Sequence, residues 1–192
     1  MARFTRLSSE DRRAQLIDVA LACLAEGGIL HFTVDRISKE AGVSRGLVLH
    51  HFGSMAGLLT AVYARIYRDT IPDFVALPPE DRLDALIEAV FAPKAFSRST
   101  LAAWLSLWGQ IAVTPELQAE HQRQFRVYVA EVGEAIAARA AAQGRSVDVP
   151  TLALALTSLI DGLCLQQCMD PGVLGADAAK AACRALLAPH LG

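Results

Sequence analysis

The chain has few aromatic residues and little excess charge of either sign. Phe, Trp and Tyr make up 6% of its 192 residues, and the formal net charge is −2. Nucleic-acid-binding proteins often carry a strongly basic surface, so any such contact here must come from a few placed side chains. Hydrophobic residues make up 53% and charged residues 20%, which excludes a disordered chain and predicts a globular one.

Long hydrophobic runs are also missing. No uninterrupted apolar run reaches the roughly 18 residues that span a bilayer, and the first residues lack the apolar core of a signal peptide. We therefore expect a cytoplasmic protein with no membrane partner. Its four cysteines should then be reduced: Cys23, Cys164, Cys168 and Cys183. The favoured interpretation is that they are buried core thiols. For Cys164 and Cys168, a redox pair or a soft-metal site is the alternative.

No segment alternates between apolar and polar residues as a strand would. Apolar residues instead recur at helical spacing, which predicts an all-α fold of about nine helices. The predicted N-caps of the first four helices are Ser8, Thr33, Ser44 and Ser54. Gly27-Gly28 should end the first helix. The later helices are predicted near residues 80–91, 97–113, 115–143, 150–169 and 176–187.

Thr33 to Leu59 reads TVDRISKEAGVSRGLVLHHFGSMAGLL. Two short helices separated by a turn at Gly42 are typical of a helix-turn-helix, in which the second helix enters the major groove of DNA. We predict a DNA-binding domain over residues 1–60 and a larger regulatory domain over 61–192. A three-helix corner with a solvated arginine is the alternative interpretation of this pattern.

The second short helix carries the side chains that would face DNA. Arg45 is its only long donor, and arginine pairs well with guanine edges. Gly46 allows close approach of the backbone. Thr33 and Ser54 lie at helix N-termini, which favour phosphate. His50 and His51 diverge by about 100° on a helix and share no face, so a metal pair is not expected.

The stretch resembles the DNA-binding domain of the tetracycline-repressor (TetR) family. The matching positions are Thr33, Ile37, Ala41, Gly42, Val43, Ser44, Gly46, Phe52, Leu58 and Leu59. The resemblance implies a homodimeric, all-helical repressor that binds double-stranded operator DNA and carries a ligand pocket in its C-terminal part. It assigns phosphate contacts to Thr33, Ser44, His50, His51 and Ser54, and base contacts to Arg45, Gly46 and Leu47.

Two residues depart from the family pattern. Leu49 stands where the family usually has Tyr, and Met55 stands where it usually has Lys. Each loss removes a phosphate contact, so we expect weaker and less salt-sensitive DNA binding. An N-terminal arm could compensate, and its candidate residues are Arg3, Arg6, Arg12 and Arg13.

The regulatory domain offers candidate ligand residues. Trp104 and Trp108 lie four residues apart on one helix, and Asp161 interrupts the most apolar helix. An unpaired buried carboxylate is costly, so it needs either a protein partner or a ligand. Core tryptophans and an internally paired Asp161 are one interpretation; aromatic faces and a carboxylate that hold a cationic ligand are the other.

These segments resemble the choline-responsive, betaine-pathway branch of the TetR family. Cys164 stands where that branch often has Trp, which removes an aromatic wall. The resemblance therefore implies a small cationic or amphipathic effector near Trp104, Trp108, Asp161 and Cys164. The helices over 151–169 and 176–187, with Ala153, Ala155, Ala178, Ala179 and Ala182, are the expected homodimer surface; ordinary intrachain core is the alternative.

No nucleophile–base constellation, phosphate loop or metal-ligand quartet is present in the sequence, so we expect no enzymatic activity and no cofactor. The leading hypothesis is a ligand-controlled, homodimeric transcriptional repressor. The alternative is a ligand-binding helical protein of the same fold whose DNA binding is weakened or lost, which Leu49 and Met55 favour.

Overall fold

The computed structural model describes residues 7–70, 77–172 and 174–191, and in these ranges it contains nine α-helices and no strand. The predicted all-α fold is confirmed. In chain order the helices are α1 (Ser9–His31), α2 (Val34–Ala41), α3 (Arg45–Phe52), α4 (Met55–Thr70), α5 (Arg82–Val90), α6 (Arg98–Ile111), α7 (Pro115–Ala142), α8 (Val149–Met169) and α9 (Ala176–Leu191).

The predicted N-caps of the first four helices are confirmed. Each hydroxyl accepts a hydrogen bond from a backbone N–H in the first turn, which is otherwise without an intrahelical partner. The bonds are Asp11 N to Ser8 Oγ at 3.0 Å, Arg36 N to Thr33 Oγ1 at 3.3 Å, Leu47 N to Ser44 Oγ at 3.2 Å and Gly57 N to Ser54 Oγ at 2.9 Å.

The regular first helix breaks at Gly27-Gly28, as predicted. The backbone leaves helical geometry at both glycines, with φ −141° at Gly27 and +62° at Gly28, and a further turn runs to His31. The imidazole of His31 folds back over Gly27, where a Cβ would lie only 2.0 Å from its Nδ1 atom. The glycine pair therefore ends the regular helical stretch and leaves a kink before the last turn of α1.

Packing divides the chain into two compact units. One comprises the described residues up to Ile66 together with Ala102–Glu120, and the other comprises Tyr67–Leu101 with the residues from His121 onward. In the first unit α2 packs against α1 and α3; in the second, α9 packs against α8 and α5. These units are defined by packing and do not test the boundary predicted at residue 60 between a DNA-binding and a regulatory domain. That boundary stays a prediction.

Two described helices, Ser9–His31 and Val149–Met169, are long and apolar enough to cross a membrane by length and composition alone, and the bent pair α3–α4 would count as a third. The expectation drawn from the sequence used a different criterion. It considered uninterrupted apolar runs, whereas a mean hydropathy tolerates scattered polar residues. Both helices bury a face in their own unit, with Leu16 and Leu24 on α1 and Leu156 and Ile160 on α8.

Two of the alanines predicted at the homodimer surface lie in the core of the chain. Ala153 of α8 and Ala179 of α9 are almost fully buried, and the two helices pack against each other. Since α8 is apolar around much of its circumference, periodicity could not show which face the chain covers itself. The exposed face of α8 carries Leu154 and Met169, which are 54% and 61% exposed.

Candidate nucleic-acid interface and ligand site

Helix α3 is short and is held by α2. Ile37 of α2 and Val48 of α3 are buried, and Gly42 makes the turn between the helices in the left-handed region, with φ 66° and ψ 36°. Residues other than glycine pay a steric cost there. The buried contacts and the fixed turn give α3 the rigid support that a DNA-reading helix requires.

Most of the predicted DNA-binding residues lie at the surface. Leu47 and His51 are half-buried, and the remaining six are exposed: Thr33, Ser44, Arg45, Gly46, His50 and Ser54. The hydroxyl oxygens of Thr33, Ser44 and Ser54 accept bonds from their own helices. Because a hydroxyl also has one O–H to donate, the capping role leaves that hydrogen available for a phosphate oxygen.

Arg45 has a charged partner that the sequence analysis missed. Its Nε atom lies 2.5 Å from Oδ1 of Asp35, and the two side chains are 67% and 57% exposed. Asp35 belongs to the first turn of α2, where a carboxylate is favoured by the helix dipole. The carboxylate thus lies beside the side chain predicted to read bases.

A second ionic cluster fixes α2 to the end of α1. Arg36 donates hydrogen bonds from Nη2 to Glu26 at 2.6 Å, from Nε to Glu40 at 2.8 Å and from Nη1 to Nδ1 of His31 at 2.8 Å. Cys23 is buried nearby, with its Sγ 3.8 Å from Glu40. Burial, followed by the charge of Glu40, raises the pKa of the Cys23 thiol, so it stays protonated.

Two of the four arginines predicted in an N-terminal arm, Arg12 and Arg13, lie in α1. Arg12 donates from Nη1 to Gln15 at 2.6 Å, and the guanidinium of Arg13 lies over the ring of Phe52. Arg12 is thus bonded within its own helix, whereas Arg13 contacts the last residue of α3. Arg3 and Arg6 lie outside the described residues, so their part of the prediction stays a prediction.

Adjacent His50 and His51 contact each other at their ring edges, with centroids 5.7 Å apart. In the part of the chain that the structure describes, no cluster of His, Cys, Asp or Glu has the makings of a metal site.

The two tryptophans belong to the first compact unit. Their ring centroids are 6.1 Å apart with a tilt of 30°, and the ring of Trp104 meets that of buried Tyr63 edge-to-face at 5.6 Å. Both indoles are half-buried. They form a partly open aromatic surface, which agrees with either a core role or a ligand contact.

Asp161 and Cys164 belong to the second unit, one turn apart on α8. Solvent reaches Asp161, yet protein atoms around its carboxyl raise the pKa to about 6 by desolvation. Burial, followed by Asp161, raises the pKa of the Cys164 thiol to about 12.

Tyr128 of α7 belongs to the same group, although the sequence analysis did not single it out. It is buried, and its phenol has a raised pKa because of burial first and the charges of Asp161 and Cys164 next. Its ring meets that of Tyr67 edge-to-face, with centroids 6.2 Å apart. Cys183 is also buried, which raises its thiol pKa to about 11. Thiols with such high pKa values make poor redox or metal sites.

Two family models match the N-terminal and C-terminal parts of the chain. Residues 16–62 match the model of bacterial regulatory proteins of the tetR family. Residues 79–192 match the model of the C-terminal part of BetI-type transcriptional repressors. The HTH-type transcriptional regulator BetI of Burkholderia thailandensis is 33% identical over 177 residues, which cover 88% of each chain.

Solved structures agree with these matches. A putative transcriptional regulator from Pseudomonas aeruginosa PAO1 has 31% identity and a TM-score of 0.78, covering 98% of this chain and 94% of that one. A putative transcriptional regulator from Saccharomonospora viridis in complex with choline has 22% identity and a TM-score of 0.81, covering 94% and 97%. The chain belongs to the TetR family of transcriptional repressors, with a DNA-binding N-terminal domain and a BetI-type, ligand-binding C-terminal domain, and not to a family of enzymes.

Proposed function

We propose that α3 enters the major groove of an operator and that Arg45 reads a guanine edge there, with Gly46 and Leu47 completing the base-facing surface. Thr33, Ser44, His50, His51 and Ser54 then contact phosphates. The observation that carries this proposal is the exposed N-terminal end of α3, supported from beneath by buried Ile37 and Val48.

The two departures from the family pattern shape this interface. Leu49 is 41% exposed on α3, and an exposed leucine suits contact with a thymine methyl group rather than a phosphate. Met55 is half-buried at the start of α4 and supplies no charge. Fewer phosphate contacts predict a shallow dependence of affinity on salt.

We propose a small cationic effector for the C-terminal domain. In the second unit, the charge of Asp161 acts on buried Tyr128, whose ring contacts that of Tyr67. A carboxylate beside aromatic rings favours a quaternary ammonium group, and choline is the ligand of the Saccharomonospora viridis relative. Cys164, one turn after Asp161 on α8, belongs to this proposed set. Trp104 and Trp108 belong to the first unit and are proposed as a separate aromatic contact for an effector.

The exposed apolar face of α8, with Leu154 and Met169, supports a homodimer built from α8 and α9, as is typical of the family. Such an interface is isologous, so each subunit presents the same residues to the other. A repressor of chromosomal operators acts in the cytoplasm, and we propose that location.

The DNA proposal is tested by mobility shift on the DNA upstream of the protein's own gene, over a range of salt concentrations. We expect a retarded complex that Arg45→Ala weakens by roughly 5- to 150-fold. Arg126→Ala, an exposed change on α7, is the control. An unretarded fragment with retained effector binding would instead support the alternative, a ligand-binding protein of this fold without DNA binding.

The effector proposal is tested by calorimetric titration with choline at pH 7.5. Binding should be saturable and should weaken in Asp161→Asn, which keeps the shape of the side chain and removes its charge. Trp104→Phe and Trp108→Phe test the aromatic pair separately. Equal choline affinity in wild type and Asp161→Asn would remove Asp161 from the site, and no binding of choline would remove this ligand.

A further inference from the structure

The Asp35–Arg45 pair joins the two helices of the helix-turn-helix on their exposed side. Nε of Arg45 lies 2.5 Å from Oδ1 of Asp35. Among the described residues, no hydrogen bond from Nη1 or Nη2 of Arg45 is seen. The Nε side of the guanidinium thus lies against the carboxylate, and the Nη1 and Nη2 groups stay available to another acceptor.

The Asp35–Arg45 pair contributes little to the stability of the fold. Both side chains are more than half exposed, and exposed ion pairs contribute little to folding because water and salt screen them. A carboxylate on a surface that meets phosphates would also weaken DNA binding unless a cation neutralised it. The pair therefore has a clear role only if it affects how Arg45 binds DNA.

The geometry of the pair indicates how it could affect DNA binding by Arg45. Guanine offers O6 and N7 as two acceptors in the major groove, and arginine binds both with two N–H groups. When the Nε edge faces Asp35, the outer Nη1–Nη2 end is the one presented to a base. Arginine has many rotamers, and ordering a long side chain on binding costs affinity; a guanidinium already held in place loses less.

We propose that Asp35 is a positioning residue that holds Arg45 for guanine and thereby sets base preference at the position Arg45 reads. This inference rests on the proposed function, in which Arg45 contacts a base. Asp35 contributes to specificity through Arg45 and makes no base contact of its own.

The experiment is selection of binding sites from a random duplex library, followed by affinity measurements on the selected site and its single-base variants. Wild type, Asp35→Asn and Arg45→Ala are compared. Asp18→Asn is the matched control: Asp18 lies in the same unit, is also 57% exposed and pairs with Arg65 at 3.0 Å. It reports the effect of removing one exposed carboxylate and its ion pair.

We expect Arg45→Ala to abolish the guanine preference at one position of each half-site. Asp35→Asn should reduce discrimination at that same position by about two- to tenfold, with the preferences elsewhere retained. Asp18→Asn should leave every preference unchanged. The melting temperatures of Asp35→Asn and Asp18→Asn should stay close to that of wild type, which separates a positioning effect from unfolding.

Other outcomes overturn the inference. If Asp35→Asn raises affinity for all sequences and keeps the guanine preference, Asp35 merely competes with DNA for Arg45. If it alters a position that Arg45→Ala does not, Asp35 contacts a base itself. In both cases Arg45 still reads a base and the proposed function stands. If wild type selects no sequence, or Arg45→Ala keeps every preference, the proposed role of Arg45 fails and the inference fails with it.

Discussion

The guanidinium of Arg13 lies 4.8 Å from the centre of the Phe52 ring. Arg13 belongs to α1 and Phe52 is the last residue of α3, so this cation–π contact fastens the end of the proposed recognition helix to the first helix. It stabilises the position of α3 without occupying its DNA-facing residues.

Replacement of Arg13 by Gln should therefore lower the free energy of unfolding by about 0.5–1 kcal/mol, the usual value of an exposed cation–π contact. Chemical denaturation measures the change. Arg12→Gln is the control, because Arg12 bonds only to Gln15 on its own helix among the contacts seen. Equal effects of the two substitutions would show that the ring contact contributes nothing particular.

Gly42 and Gly109 should respond in opposite directions to replacement by Ala. A Cβ would meet no atom within 4 Å at either position, but only Gly42 has positive φ, at +66°. Gly42→Ala should cost about 1–2 kcal/mol through backbone strain. Gly109→Ala, inside α6, should stabilise by about 0.5–1 kcal/mol. Denaturant midpoints decide this, and a stabilised Gly42→Ala variant would contradict it.

Substitutions at Ser44 can separate helix capping from phosphate binding. Ser44→Ala should destabilise the protein by about 1 kcal/mol because Leu47 N loses its acceptor. Ser44→Asp should keep the cap and the stability, while its charge repels phosphate and weakens operator binding by at least about tenfold. Thermal melting and mobility shift are read on the same samples. Full DNA affinity in Ser44→Asp would place Ser44 away from the backbone.

Glu88 of α5 should make stability depend on pH. It accepts hydrogen bonds from Lys180 and Arg184 of α9, each at 2.6 Å, and these bonds hold its pKa below the ordinary value. A lowered folded pKa stabilises the protein above the unfolded pKa, and that stability is lost as pH falls through the folded one. Glu88→Gln should thus lower the melting temperature at pH 7, and the difference from wild type should shrink as pH falls below the unfolded pKa.

Glu134→Gln is the control for Glu88, because Glu134 is exposed on α7 and takes part in no ion pair seen among the described residues. Its melting temperature should follow that of wild type at both pH values. A constant difference between Glu88→Gln and wild type from pH 3 to 7 would contradict the pH prediction.

Asp161 should have the reverse pH dependence. Desolvation raises its pKa to about 6, so ionisation opposes folding as pH rises from the unfolded pKa to the folded one. Asp161→Asn should stabilise the ligand-free protein above pH 6 by about 1 kcal/mol, a figure reduced for solvent access. Near pH 3 the two proteins should melt alike. Destabilisation by Asp161→Asn at pH 7.5 would show that the carboxylate has a stabilising partner.

Local chemistry made the helix starts and the turn predictable. Ser8, Thr33, Ser44 and Ser54 act within three residues of themselves, and the left-handed turn at Gly42 depends on one residue. Such effects can be read from short segments because neighbouring residues determine them. The exposed end of α3 followed from the same reasoning.

Contacts between distant segments were not predictable in this way. Asp35 and Arg45 are ten residues apart and meet only because α2 and α3 pack together. Tyr128 comes near Asp161 through the packing of two long helices. The burial of Ala153 and Ala179 was hidden for a different reason: a helix with apolar residues on most sides shows no preferred face.

The kink in α1 makes the side chains that positions 27 and 31 can carry depend on each other. The imidazole of His31 fills the volume that a side chain at position 27 would need, and the same ring accepts a bond from Arg36. A change of Gly27 to any larger residue therefore has to follow, or accompany, the loss of His31 from its place. Arg36 would then lose a hydrogen-bond partner. A substitution at Gly27 would therefore also change the contacts of α2, the helix that supports α3.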